Sequence, residues 1–166
     1  NLKQAARTLN FLTEHKIEQY ADLTAKISEI AAASEQAADS LKAAEKRFAD
    51  MAVLIKNVKT YQKTKPVYDA YRKARNKGSY RADHEQAIIL HEAVAKALQA
   101  AGIKKLPNLT SLQAEYEQLQ AQKETLYADY GKLKKQVKEY DVIKLNIDSI
   151  LRKEKELEEE LIKVER

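Results

Sequence analysis

Cysteine and tryptophan are absent from these 166 residues, glycine occurs three times and proline twice. Without cysteine there is no disulfide, no thiolate nucleophile and no thiolate metal ligand, which is compatible with a reducing, cytoplasmic setting. So few glycines and prolines leave little turn chemistry for a many-stranded fold. Long apolar runs are missing too. The longest are Ala52-Val53-Leu54-Ile55 and Ala87-Ile88-Ile89-Leu90, far short of the ~20 residues that a membrane-spanning helix needs. No G-x-S-x-G elbow, P-loop or glycine-rich phosphate turn occurs. The chain opens at Asn1 in what reads as mid-helix, with no initiator Met and no signal peptide. It is therefore expected to be a piece of a larger protein.

What is present is charge and helical periodicity. Charged residues make up 33% and hydrophobic ones 44%, a balance that buries a seam along helices rather than a thick core. Leu2, Ala5, Ala6, Leu9 and Leu12 give a short amphipathic helix. From Tyr20 an alternation of three and four residues runs through Leu23, Ile27, Ile30, Ser34, Ala37, Leu41, Ala44, Phe48, Met51, Ile55 and Val58. That is an unbroken heptad, the mark of a coiled coil. Pro66 falls inside the helical pattern and favours a kink or a break near Thr64-Lys65. The spacing of Val67, Tyr68 and Tyr71 continues beyond it and argues for a kink. Asn76-Lys77-Gly78 reads as a stop, Ser79 as the N-cap of the next helix, and Gly102 as that helix's end. A last helix opens at Asn108 or Thr110. Its seam runs from Leu112 through Tyr116, Leu119, Lys123, Leu126, Tyr130, Leu133, Val137 and Tyr140. It then slips to Ile143, Ile147, Ile150, Glu154, Leu157, Leu161 and Val164.

The expected fold is all-α. Helices over about 20–77 and 109–166, each about 87 Å long, fold back as an antiparallel coiled-coil hairpin. A helix over about 79–101 occupies the tip. The short N-terminal helix lies beside the final turns of the last one, and residues 1–166 form one elongated module. A monomeric hairpin and a coiled-coil homodimer both satisfy the pattern.

The basic excess is concentrated. Between Lys56 and Arg81 stand Lys56, Lys59, Lys63, Lys65, Arg72, Lys73, Arg75, Lys77 and Arg81 against the single acid Asp69. The local charge is +8, against −1, −3 and +1 for residues 1–55, 82–131 and 132–166. Tyr61, Tyr68, Tyr71 and Tyr80 are interleaved with it. Cations serve phosphates and aromatic faces serve bases, so this stretch is the candidate nucleic-acid surface, with Tyr61, Tyr68 and Tyr71 as stacking candidates. A solubilising helix face is the plainer alternative. Lys104, Lys105, Lys132, Lys134, Lys135 and Lys138 would extend the positive surface.

No catalytic constellation accompanies it. His84 and His91 are seven residues apart, roughly 10 Å along a helix axis. That excludes a shared metal, whereas zinc ligation from one helix needs i, i+4. Both read as half-buried packing residues, and His15 as a helix end. The run Glu158-Glu159-Glu160 reads as a solvated face, and no tyrosine has an activating neighbour in sequence. The segment is expected to need no metal and no cofactor, and not to be an enzyme.

Three stretches carry a resemblance: residues 1–15, residues 52–98 and residues 104–119. Within the second, Tyr68-Asp69-Ala70-Tyr71-Arg72-Lys73-Ala74 and Ile88-Ile89-Leu90-His91 are the most specific. Together they resemble the C-terminal region of MobA/MobL-type relaxases, the mobilisation nucleases of Firmicutes conjugative transposons. The resemblance implies a parent protein that nicks one DNA strand at a transfer origin through a tyrosine. In that family the nicking tyrosine and the metal-binding histidines belong to an N-terminal nuclease domain, and no position here matches them. The expectation is a non-catalytic module that assists binding of DNA, by backbone contacts, or of other transfer-complex proteins. A structural spacer or protein-docking arm without DNA contact is the alternative.

Overall fold

A computed structural model describes residues 1–166 and contains only helices: α1 (Leu2–Glu14), α2 (Tyr20–Lys73), α3 (Lys77–Asp83), α4 (Glu85–Ala100) and α5 (Leu109–Glu165). The two long helices pack antiparallel, the hairpin expected from the heptad. Their contacts gather into two compact units: residues 1–41 with 126–166, and residues 42–125.

In the first unit, Leu23 and Ile30 of α2 close against Tyr140 and Ile143 of α5, with Phe11 of α1 completing the cluster. Phe11 meets the Tyr140 ring edge-on at 4.8 Å. Thr8 is buried and accepts from Asn146 Nδ2 at 3.3 Å. Thus α1 lies along the stretch of α5 from Glu139 to Leu151, not beside its final turns as expected, because Phe11 and Leu12 find their apolar partners near residues 137–147. Residues 150–166 are all exposed. The chain leaves α1 through Lys16 at φ 56°. The Ile17 amide reaches back to the Leu12 carbonyl at 2.8 Å and the Lys16 amide to that of Thr13 at 3.2 Å. This double closure is a Schellman ending, normally made with glycine at the left-handed position.

In the second unit, Ile55 and Val58 of α2, Leu98 of α4 and Leu112 of α5 form the core, with Ile103 and Leu106 of the connector packed on it. Gly102, at φ 79°, ends α4 through the same geometry, with the Ile103 amide on the Leu98 carbonyl at 3.0 Å. Asn108 caps α5 by accepting from the Thr110 and Ser111 amides at 2.8 and 3.3 Å. Helix α2 continues through Pro66 and stops at Lys73 rather than at residue 77. The helix expected over 79–101 is two helices, parted at His84, whose φ of −128° is not helical. Asn76, not Ser79, is the cap: its Oδ1 accepts from the Ser79 amide at 3.0 Å. That bond satisfies an amide at the start of α3, which therefore begins two residues before Ser79.

Candidate nucleic-acid interface

The basic stretch belongs to the second unit, which holds sixteen Lys or Arg against nine Asp or Glu, a net charge of +7. The first unit carries −2. Of the nine candidate cations, two are committed to acids. Lys65 Nζ lies 2.6 Å from Asp69 Oδ2, one helical turn on. Arg81 grips Glu92 with both terminal nitrogens, at 2.9 and 3.3 Å, while its guanidinium sits 5.7 Å from the centre of the Tyr71 ring. These contacts raise the pKa of Lys65 and Arg81 and lower those of Asp69 and Glu92, the paired hydrogen bond being the largest cause in each case.

The other seven are exposed and form no ion pair: Lys56, Lys59, Lys63, Arg72, Lys73, Arg75 and Lys77. Helical spacing sorts those on α2. Lys56, Lys59 and Lys63 stand at i, i+3 and i+7, one stripe that Lys73 rejoins further along, while Arg72 points to another side. Lys56 and Lys59 also border an open groove of about 420 Å³, whose other walls include Ile55, Gln113 and Tyr116. Lys104 and Lys105 are exposed in the connector.

The tyrosines are placed differently from the expectation that they would offer free faces. His91, on α4, is buried to 3% exposure. Its ring stacks on Tyr68 at 4.4 Å and tilts against Tyr61 at 4.6 Å. Its Nδ1 lies 2.8 Å from the Thr64 hydroxyl, which itself donates to the Thr60 carbonyl at 2.8 Å. The ladder continues through Tyr68–Tyr71 at 5.9 Å, Tyr71–Tyr80 at 6.4 Å and Tyr80–His84 at 4.1 Å. Tyr61, Tyr68 and Tyr71 are therefore half-buried joinery between the end of α2 and helices α3 and α4. One face of each ring of Tyr61 and Tyr68 is taken by His91. The i, i+7 spacing of Tyr61 and Tyr68 with Thr64 between them was visible in the sequence. The histidine that seats on them stands 27 residues after Thr64, and no local pattern announces it. Burial lowers the His91 pKa despite the opposing pull of Asp69.

No family model, curated protein or solved structure matches the chain. Its chemistry is thus read from its own residues. No group of three or more His, Asp or Glu side chains is arranged to hold a metal ion, and no helix is long and apolar enough to cross a membrane. The arrangement presents unneutralised cations, rigidly based on a helix whose opposite side is fastened by the tyrosine–histidine ladder.

Proposed function

We propose that the chain is a non-catalytic helical module that holds DNA by its phosphates, in the service of a strand-nicking relaxase during conjugative transfer. The observation that carries the binding half is the set of seven exposed cations without acid partners between Lys56 and Lys77. The likeness of residues 52–98 to the C-terminal region of mobilisation relaxases supports the biological setting. Contacts of this kind neutralise phosphates and release counterions, so they bind without reading sequence. Because the Tyr61 and Tyr68 rings are engaged with His91, stacking on unpaired bases plays little part, and duplex binds at least as well as single strand.

The test is a salt titration of binding to labelled single- and double-stranded DNA by fluorescence anisotropy. Lys56, Lys59, Lys63, Arg72 and Lys73 replaced together by Gln should flatten the slope of log K against log salt by about 4 on duplex DNA, at ~0.9 per lost phosphate contact. Absence of binding at low salt, or an unchanged slope, overturns the proposal. A docking arm is the second reading, favoured by the exposed apolar residues Leu157, Leu161 and Val164 on the last turns of α5. It predicts that the five-Gln chain keeps its function.

A further inference from the structure

The last turns of α5 carry a heptad seam that nothing in the chain covers. Ile150, Leu157, Leu161 and Val164 are 50, 61, 65 and 84% exposed, yet the helix runs on to Glu165. They continue the 4-3-4-3 spacing that begins at Ile143 and Ile147, where the same stripe is packed against α1 and α2. An apolar stripe at this spacing is the kind of surface that a second helix covers.

We propose that this seam is covered by the same segment of a second copy, running antiparallel, so that residues 150–161 form a two-stranded coiled-coil dimer contact. Charge complementarity decides both the partner and the direction. With Ile150, Leu157 and Val164 at d, the a positions are Ile147, Glu154 and Leu161, the g positions include Lys153 and Glu160, and the e positions include Lys144, Glu158 and Glu165. An antiparallel pair stacks a on d of its partner. Ile150 then meets Leu161 of the second copy and Glu154 meets Leu157, while Ile147 stays covered by α1 and α2. Flanking residues pair g with g, which puts Lys153 beside the second copy's Glu160; Lys144 stays paired with Asp148 of its own chain at 2.7 Å. Each contact occurs twice about a two-fold axis passing between residues 155 and 156, as an isologous interface requires. The parallel alternative sets Glu154 against Glu154 in the seam and Glu160 against Glu165 at its edge. It gains only Lys153 with Glu158. Like charges in register disfavour it, and the antiparallel register has none. The segment is self-complementary because its basic block, Arg152-Lys153 with Lys155, precedes its acidic block, Glu158-Glu159-Glu160.

Sedimentation velocity on the full chain tests this. The contact spans few heptads and carries one glutamate per chain in its seam, so self-association should appear between roughly 10 µM and 1 mM. Leu157→Asp with Leu161→Asp should leave a monomer throughout that range, with thermal melting by circular dichroism unchanged because both side chains are exposed. Lys153→Glu should weaken association roughly tenfold by turning two attractive pairs repulsive. Adding Glu160→Lys should restore it. A concentration-independent monomer overturns the proposal, as does a dimer that persists in the double aspartate chain. Restoration by Glu158→Lys instead of Glu160→Lys overturns the antiparallel register.

Discussion

His91 is the residue on which the second unit's helical connector turns. It is clamped between Tyr61 and Tyr68, bonded to Thr64, and closed off from water. Charging it inside this clamp is unfavourable, so its folded-state pKa lies below its ordinary value of 6.5. The linkage has a definite sign. The unfolded chain takes up the proton first as pH falls, so the stabilisation is complete above about pH 6.5 and is lost as pH drops through the lower folded-state value. The carboxylates of Asp69 and Glu92 oppose the shift and Lys65 adds to it, but burial outweighs them. Melting temperature should therefore fall between pH 7 and pH 5, and His91→Phe should flatten that fall. Phenylalanine keeps a ring between the tyrosines, and the Thr64 hydroxyl retains the Thr60 carbonyl. An equally steep decline in the variant would remove His91 as its origin.

At the scale of elements, the heptad of α2 was legible from Leu23 to Val58 because the pattern is local and repeats every seven residues. Leu23, Ile30, Leu41, Ala44, Ile55 and Val58 are all buried, as their register demands. The interruption at His84 was not legible: Ala82-Asp83-His84-Glu85 holds neither glycine nor proline. Tyr80 and His91, on either side of the break, both reach the tyrosine ladder, a tertiary contact that no local pattern announces. The position of α1 escaped for the same reason, since Phe11 packs on Tyr140 of α5 as well as on its own neighbour His15. Pro66 posed a different question. Its side is exposed and α2 passes through it, so the proline costs a backbone bond to the Gln62 carbonyl and gains no packing that offsets it. Pro66→Ala should stabilise the chain by about 1–3 kcal/mol in urea denaturation. A loss of stability would show that the ring is needed for the geometry that aligns Tyr68 with His91.

For the whole molecule, charge and packing are separable, and this decides what kind of protein it is. The candidate interface was half legible. One-signed charge is a compositional fact, so the cations could be named from sequence, but which of them meet an acid depends on the fold. Lys65 was predictable in hindsight from Asp69 one turn on. Arg81 with Glu92 was not, because the chain breaks at His84 between them. The seven remaining cations touch no acid, so removing five of them should not weaken folding. It should relieve repulsion and leave the melting temperature unchanged or slightly raised. Leu41→Asp acts in reverse. It puts a carboxylate into a site of 7% exposure and should cost several kcal/mol, with the thermal transition lowered or lost. If the module serves to hold phosphate, the five-Gln chain is folded and inactive in DNA retention. If it serves as a spacer or docking arm, that chain is folded and active, and only the core variant fails. Measuring melting and DNA affinity side by side on the two variants separates the cases, because only the spacer or docking reading requires the five-Gln chain to keep its function.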